Sequence, residues 1–250
     1  MDFTETTLSP IVELRQYTLH PGKRDVLIEL FDRAFIESQE ELGMTVIGQF
    51  RDVDDPDRFV WLRGFPDMTT RAESLQAFYG GPIWKASRDV ANATMIDSDN
   101  VLLLRPARAG SGFSTDLARR PPRDATGSGL GSVLAAIYSL ESGAESALVE
   151  HFNRDVLPAL TDHGGAVLAL FVTEPSVNTF PALPIRENES VFVWFAGLRN
   201  DAGDLSFVHD DAPGVIGSPQ VLRLVPTARS RLSGTSPACH VLSQQRERHA

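Results

Sequence analysis

The chain has 250 residues, of which 42% are apolar and 22% charged, with a formal net charge of −10. That length holds one large domain or two of about 100–120 residues, and the composition is that of a soluble globular protein. The acidic balance disfavours nucleic acid and anionic membrane as partners, since both require a basic surface, and no apolar run approaches the roughly 20 residues of a bilayer span.

The first element is a strand over residues 11–19. Its alternation places Glu13, Arg15 and Tyr17 on one face and Val12, Leu14, Gln16 and Thr18 on the other. His20-Pro21-Gly22 ends it, and a helix over 23–42 follows. Leu27, Phe31, Ala34, Phe35, Ser38 and Leu42 form its apolar stripe, and Gly43 is a suitable stop. Strands over 44–51 and 59–65 make a hairpin around an acidic turn. Helices over 68–79 and from 82 to about 95 are separated by Gly80-Gly81-Pro82. A short strand over 101–105 closes the unit. The order β-α-β-β-α-β is the ferredoxin-like plan. A linker rich in Gly and Pro covers 108–131.

The chain then repeats itself. Leu27-Ile28-Glu29-Leu30-Phe31-Asp32-Arg33 returns as Leu148-Val149-Glu150-His151-Phe152-Asn153-Arg154, 121 residues on, and the same shift carries Tyr17 onto Tyr138 and Phe50 onto Phe171. Strands are expected over 133–140, 166–173, 191–198 and 221–225, with a helix over 144–161. About twelve extra residues lie within 175–189, because Val60-Trp61 matches Val193-Trp194 at a shift of 133. Residues 200–220 read as loop, including His209-Asp210-Asp211, and 227–250 as a flexible polar tail. The expected organisation is thus a module over 10–107, the linker, a diverged module over 132–226 and the tail. The fold class is α+β: two tandem ferredoxin-like modules packed sheet to sheet, as an intramolecular dimeric α+β barrel. Such a chain is expected to be a monomer with internal pseudo-twofold symmetry, or a homodimer.

The run Glu13-Leu14-Arg15-Gln16-Tyr17-Thr18-Leu19-His20-Pro21-Gly22 resembles the opening of the NIPSNAP family. So do Phe31, Phe35, Gly43, Ile47-Gly48-Gln49-Phe50, Phe59 to Phe65, Arg71 and Phe78-Tyr79-Gly80-Gly81-Pro82-Ile83-Trp84. The resemblance covers roughly 10–107; the second copy lacks the Gly-Pro-x-Trp piece. It implies the dimeric α+β barrel fold and no single reaction, since the wider superfamily holds cofactor-free monooxygenases, isomerases, cyclases, haem enzymes and non-enzymes.

Three groups of residues are candidates for chemistry. Glu13, Arg15 and Tyr17 place an acid, a cation and a phenol on one strand face, where Arg can hold a carboxylate or enolate and Tyr can move a proton. The alternative is a structural Glu–Arg pair inside the barrel with Tyr17 and Tyr138 as core phenols. Trp61, Phe78, Tyr79 and Trp84, with Arg63, suit an aromatic pocket under the helices, against ordinary core packing. His151 and Asp155, which replace Leu30 and Ala34 of the first copy, are four apart on a helix and suit a general base oriented by a carboxylate, against a boundary pair reaching solvent.

No metal-ligand spacing, nucleotide loop or nucleophile elbow is present. A helix histidine such as His151 leaves haem ligation open without pointing to it. Cys239 is the single cysteine and makes neither an internal disulfide nor, alone, a thiolate metal site. Residues 1–5 have no secretory n- or h-region, so a cytoplasmic location is expected. The expected activity is binding of a small apolar or aromatic metabolite, with cofactor-independent proton transfer, cyclisation or oxygenation as its enzymatic form and a non-catalytic binding or scaffold role as the alternative.

Overall fold

The computed structural model describes residues 7–117, 119–127, 130–198, 208 and 212–239. Strand β1 (Ile11–Leu19) leads through Gly22, whose φ of 73° is open to glycine, into helix α1 (Arg24–Leu30), a π-helical turn (Phe31–Phe35) and α2 (Ile36–Glu40). Strands β2 (Thr45–Asp52) and β3 (Arg58–Phe65), helices α3 (Met68–Gly80) and α4 (Pro82–Asn92), and β4 (Met95–Pro106) complete the first half. The second half runs β5 (Ser132–Ser139), α5 (Glu145–His151), a π-helical turn (Phe152–Val156), α6 (Leu157–Asp162), β6 (Gly165–Thr173), β7 (Val191–Leu198) and β8 (Gln220–Pro226).

The eight strands close into one antiparallel barrel in the order β1-β3-β2-β8-β5-β7-β6-β4. Adding four to every strand number leaves that cyclic order unchanged. The two seams correspond in the same way: Phe50 pairs with Pro226 across β2–β8, and Phe171 pairs with Pro106 across β4–β6. Both halves carry a bulge at matching positions, between Val46 and Gly48 and between Val167 and Ala169. The fold is the α+β barrel in which two ferredoxin-like modules seal their open sheet faces against each other.

Three apolar layers result. Val12, Leu14, Val60 and Leu62 point into the barrel, where they meet Val133, Ala135, Val193 and Phe195 of the other half. Tyr17, Phe31, Phe35, Trp61 and Phe78 fill the layer between the first half's sheet and its helices. Tyr138, Phe152, Phe192 and Trp194 fill the equivalent layer of the second half. The face bearing Glu13, Arg15 and Tyr17 therefore looks outward under the helices and not into the barrel, because the opposite, apolar face of β1 is the one that meets the second sheet.

Four expectations change. The first helix is not a continuous α-helix: the wide turn at Phe31–Phe35 advances the register, so Gln39 is buried while Leu42 is 38% exposed. Strand β4 begins at Met95, within the stretch read as helix, because Asp97 and Met95 pair with Thr18 and Leu19 through backbone alone. The connecting segment is more than a tether, since Phe113 is buried in the barrel against Phe171 and Phe195, with ring centroids 5.1 and 5.2 Å away. Residues 227–239, read as loose tail, form a strap along β2. Thr227 N–H donates to the Gln49 carbonyl, Gln49 N–H to Ser230 Oγ, and Leu232 N–H to the Ile47 carbonyl. Leu232 enters the barrel core, and Cys239 is buried with its N–H on the Val167 carbonyl at the β6 bulge. Polar residues serve there because the strap satisfies backbone groups that a bulge leaves unpaired. Residues 240–250, 199–207 and 209–211, including His209-Asp210-Asp211, lie outside the described residues. Among the described residues no helix is long and apolar enough to cross a membrane.

Candidate functional site

The β1–β3 ladder sets Glu13 opposite Arg63, Arg15 opposite Trp61, and Tyr17 opposite Phe59. All six side chains are buried. Glu13 Oε2 accepts from Arg15 Nη1 at 2.8 Å and from Arg63 Nε and Nη2 at 3.1 and 2.7 Å. Its Oε1 accepts from Nε of Arg71, on α3, at 2.8 Å. Arg63 Nη1 donates to Gln39 Oε1 at 2.9 Å, and Arg15 Nε to the Tyr17 hydroxyl at 3.0 Å. Three guanidiniums thus share one carboxylate, which leaves two positive charges in excess in a buried layer.

Electrostatics follow from that arrangement. Burial alone would push the Glu13 carboxyl up, but Arg63, Arg15 and Arg71 together hold it well below the ordinary carboxylate range. Burial raises the Tyr17 phenol above its ordinary value even though Arg15 opposes this, so at neutral pH it is a hydrogen-bonding phenol and not a base. Burial also pulls the Arg71 guanidinium down, against the pull of Glu13.

Beside the cluster lies a small cavity of about 30 Å³, room for a water molecule or two. Phe31, Phe35, Trp61, Phe78, Tyr79 and Trp84 wall it, with Tyr17 and Gln39 on the side of the charges. The rings pack edge to face: Phe31 on Trp61 at 4.9 Å and Tyr79 on Trp84 at 4.8 Å. The Arg15 and Arg63 guanidiniums stand 5.6 and 5.0 Å from the Trp61 ring centre. Trp61 Nε1 is buried and, among the described residues, without a hydrogen-bond partner. Tyr79 and Trp84 flank Gly81, where a Cβ would lie 2.8 Å from the Ala77 carbonyl oxygen. Glycine is what lets the backbone pass that close to the Ala77 carbonyl between the two helices.

The second half supplies the outer cover. The insert between β6 and β7 places Asn178 Oδ1 and Thr179 Oγ1 3.1 and 3.2 Å from Arg71 Nη1. It also stacks Phe180 on Tyr79 at 5.8 Å. Arg71 Nη2 is buried with no partner among the described residues.

The same positions of the second half are apolar. Leu134 lies opposite Ala196 where Glu13 faces Arg63, and Ala136 opposite Trp194 where Arg15 faces Trp61. Leu160 stands where Gln39 does, 121 residues on, and all these residues belong to one apolar cluster. There the Trp194 nitrogen interacts with the Tyr138 hydroxyl, and burial pushes that phenol up to about 12.

The structure brings together Glu13, Arg15, Tyr17, Arg63 and Trp61, and sets Phe78, Tyr79 and Trp84 on the adjoining wall. His151 Nδ1 and Asp155 Oδ2 meet at 2.8 Å, as their spacing implies, but neither lines the cavity. Asp155 is exposed and held below the usual carboxylate range first by Arg154 and only then by His151. Arg71, Gln39 and Asn178 were not among the candidates. A lone arginine opening an otherwise uncharged helix face was the available signal for Arg71. Gln39 had none, because the π turn that buries it has no single-sequence signature.

The model of the NIPSNAP family matches residues 12–109, the span that holds the cluster and the cavity. Over this span the chain is similar to NIPSNAP proteins. Among solved structures, a NIPSNAP-like domain protein from Burkholderia xenovorans is 26% identical, covering 38% of this chain and 84% of that one with a TM-score of 0.36. Two longer structures match across both halves. A protein from Lactobacillus acidophilus provisionally assigned as a monooxygenase has a TM-score of 0.50 at 13% identity, covering 90% of this chain and 98% of its own. A protein from Fusobacterium nucleatum with the same assignment has a TM-score of 0.51 at 8% identity, covering 92% and 98%. At those identities they show the fold alone, shared across both halves. The comparison with curated proteins gives no match.

Proposed function

We propose that the first half binds a small molecule with an apolar, aromatic body in the cavity between β1, β3 and helices α1–α4. The observation that carries this reading is the asymmetry of the two halves. The second half builds the same layer from Leu134, Ala136, Leu160 and Ala196, so the fold has an apolar solution for it. Replacing a buried ion cluster by well-packed apolar residues is often neutral, or stabilising by about 1–4 kcal/mol. Among the described residues the cluster is kept in one half alone, which supports a task other than holding the fold together.

Binding is favoured over proton transfer. The lining contains no His, Asp or Glu, the Glu13 carboxylate is fully engaged by arginines, and the Tyr17 phenol is a weak acid. Arg15, Arg63 and Tyr17 act here as polar anchors, and His151 and Asp155 take no part. The match of seams, bulges and π turns supports a tandem duplication with modules over 10–107 and 132–226, and a barrel already closed within one chain supports a monomer.

The test uses the three tryptophans. Trp61 and Trp84 line the cavity and Trp194 lies in the other half. Titration with para-nitroanisole, a nitroaromatic quencher, is expected to give saturable quenching that persists in Trp194→Phe and is lost in Ala91→Leu, which fills the cavity. Quenching that never saturates, or that is indifferent to Ala91→Leu, would contradict the reading.

A further inference from the structure

Two residues that line the cavity carry a hydrogen-bond donor that the charge cluster does not use. One is Trp61 Nε1, buried and unpartnered among the described residues. The other is the Tyr17 hydroxyl, whose oxygen already accepts from Arg15, so its proton is the group left to give. In the second half the corresponding Trp194 nitrogen interacts with the Tyr138 hydroxyl. In the first half the phenol oxygen accepts from Arg15 instead. Behind both donors stand Arg15, Arg63 and Arg71, against the single carboxylate of Glu13. Fixed donors in front of excess positive charge, in a buried layer, stabilise negative charge on oxygen far more than water-exposed groups do. The wall is otherwise aromatic and apolar apart from Gln39 and Tyr79, and no carboxylate lines it to compete with an oxyanion.

We propose that the cavity binds a weakly acidic aromatic molecule, a phenol or enol, as its oxyanion, with the charged oxygen on Trp61 Nε1 and the Tyr17 hydroxyl. This rests on the reading of the cavity as a ligand site. The present 30 Å³ is too small for an aromatic ring, so admission displaces the Tyr79–Trp84 wall about the helix break at Gly81.

The full-length protein is titrated with para-nitrophenol, whose phenolate absorbs visible light, and with para-nitroanisole, the same body with its oxygen methylated. The bound phenol is expected to ionise about one pH unit or more below the free phenol. Trp61→Phe and Tyr17→Phe, which keep the rings, are each expected to weaken phenolate binding by about tenfold. Both variants are expected to weaken para-nitroanisole binding far less than phenolate binding, and their circular dichroism and urea unfolding show that they fold. If the two probes bind alike and no ionisation shift is seen, the oxyanion proposal is overturned while the cavity reading stands. If neither probe binds the wild-type protein, both are overturned.

Discussion

Glu13 and Arg63 face each other across the β1–β3 ladder, joined at 2.7 Å with neither side chain exposed. Leu134 and Ala196 occupy the same ladder position of the second half. One architecture therefore carries a buried charge cluster on one side and an apolar core on the other.

Removing one partner strands the rest. Glu13→Leu leaves three guanidiniums without their carboxylate and is expected to lose about 3–5 kcal/mol of unfolding free energy. Urea denaturation checks it. A loss below about 1 kcal/mol, the range of an exposed pair, would mean that the cluster is hydrated.

The lowered Glu13 ionisation gives stability a defined pH dependence. The unfolded chain takes up the Glu13 proton first, so the contribution is complete above about pH 4.3 and is lost as pH falls below that value towards the lower ionisation of the folded protein. In that window the wild type is expected to lose stability more steeply than Glu13→Gln, by up to about 1.4 kcal/mol per pH unit, the limit for one proton. Denaturation curves between pH 5 and pH 3 read the difference in slope, and parallel slopes would contradict the assignment.

The strap after β8 is structural. Leu232 sits in the barrel core with its N–H on the Ile47 carbonyl, so Leu232→Ala is expected to cost about 2–4 kcal/mol. A variant ending at Pro226 is expected to be less stable still, because the bulge of β2 then loses its partner. Thermal unfolding of both variants measures this; a transition unchanged by Leu232→Ala would place the strap outside the core.

The insert of the second half acts on the site of the first. Phe180→Ala removes the stack on Tyr79, and faster amide exchange is expected in α3 and α4 with little change in β5–β8. His151→Ala, by contrast, is expected to leave both exchange in α3 and binding of para-nitroanisole as in the wild type. Equal effects of the two substitutions would contradict the placement of the site in the first half.

Much of the barrel was legible in the sequence because periods of 2 and 3.6 and a fixed shift of 121 residues are one-dimensional signals. Val191–Leu198 reads as a strand from its run of apolar residues alone. What was not legible depends on partners that a single sequence does not show. Asp97–Asn100 is polar and joins the sheet by backbone pairing with β1. Gln39 is turned inward by a π turn. Ser230 and Thr227 are buried because β2 offers them hydrogen bonds. Glu13, Arg15 and Tyr17 were identifiable as a set from their shared strand face, whereas Arg71 and Asn178 joined the site only through tertiary contact.

The most direct test asks whether the charge cluster serves the fold or a ligand. Glu13→Leu, Arg15→Met, Gln39→Leu, Arg63→Met and Arg71→Met are combined in one variant, giving the first half an apolar layer like that of the second. Its unfolding free energy and its affinity for para-nitrophenolate are then measured together. The account predicts stability equal to the wild type or higher by about 1–4 kcal/mol, with phenolate binding abolished. A variant that is strongly destabilised, or that binds the phenolate as the wild type does, would contradict it.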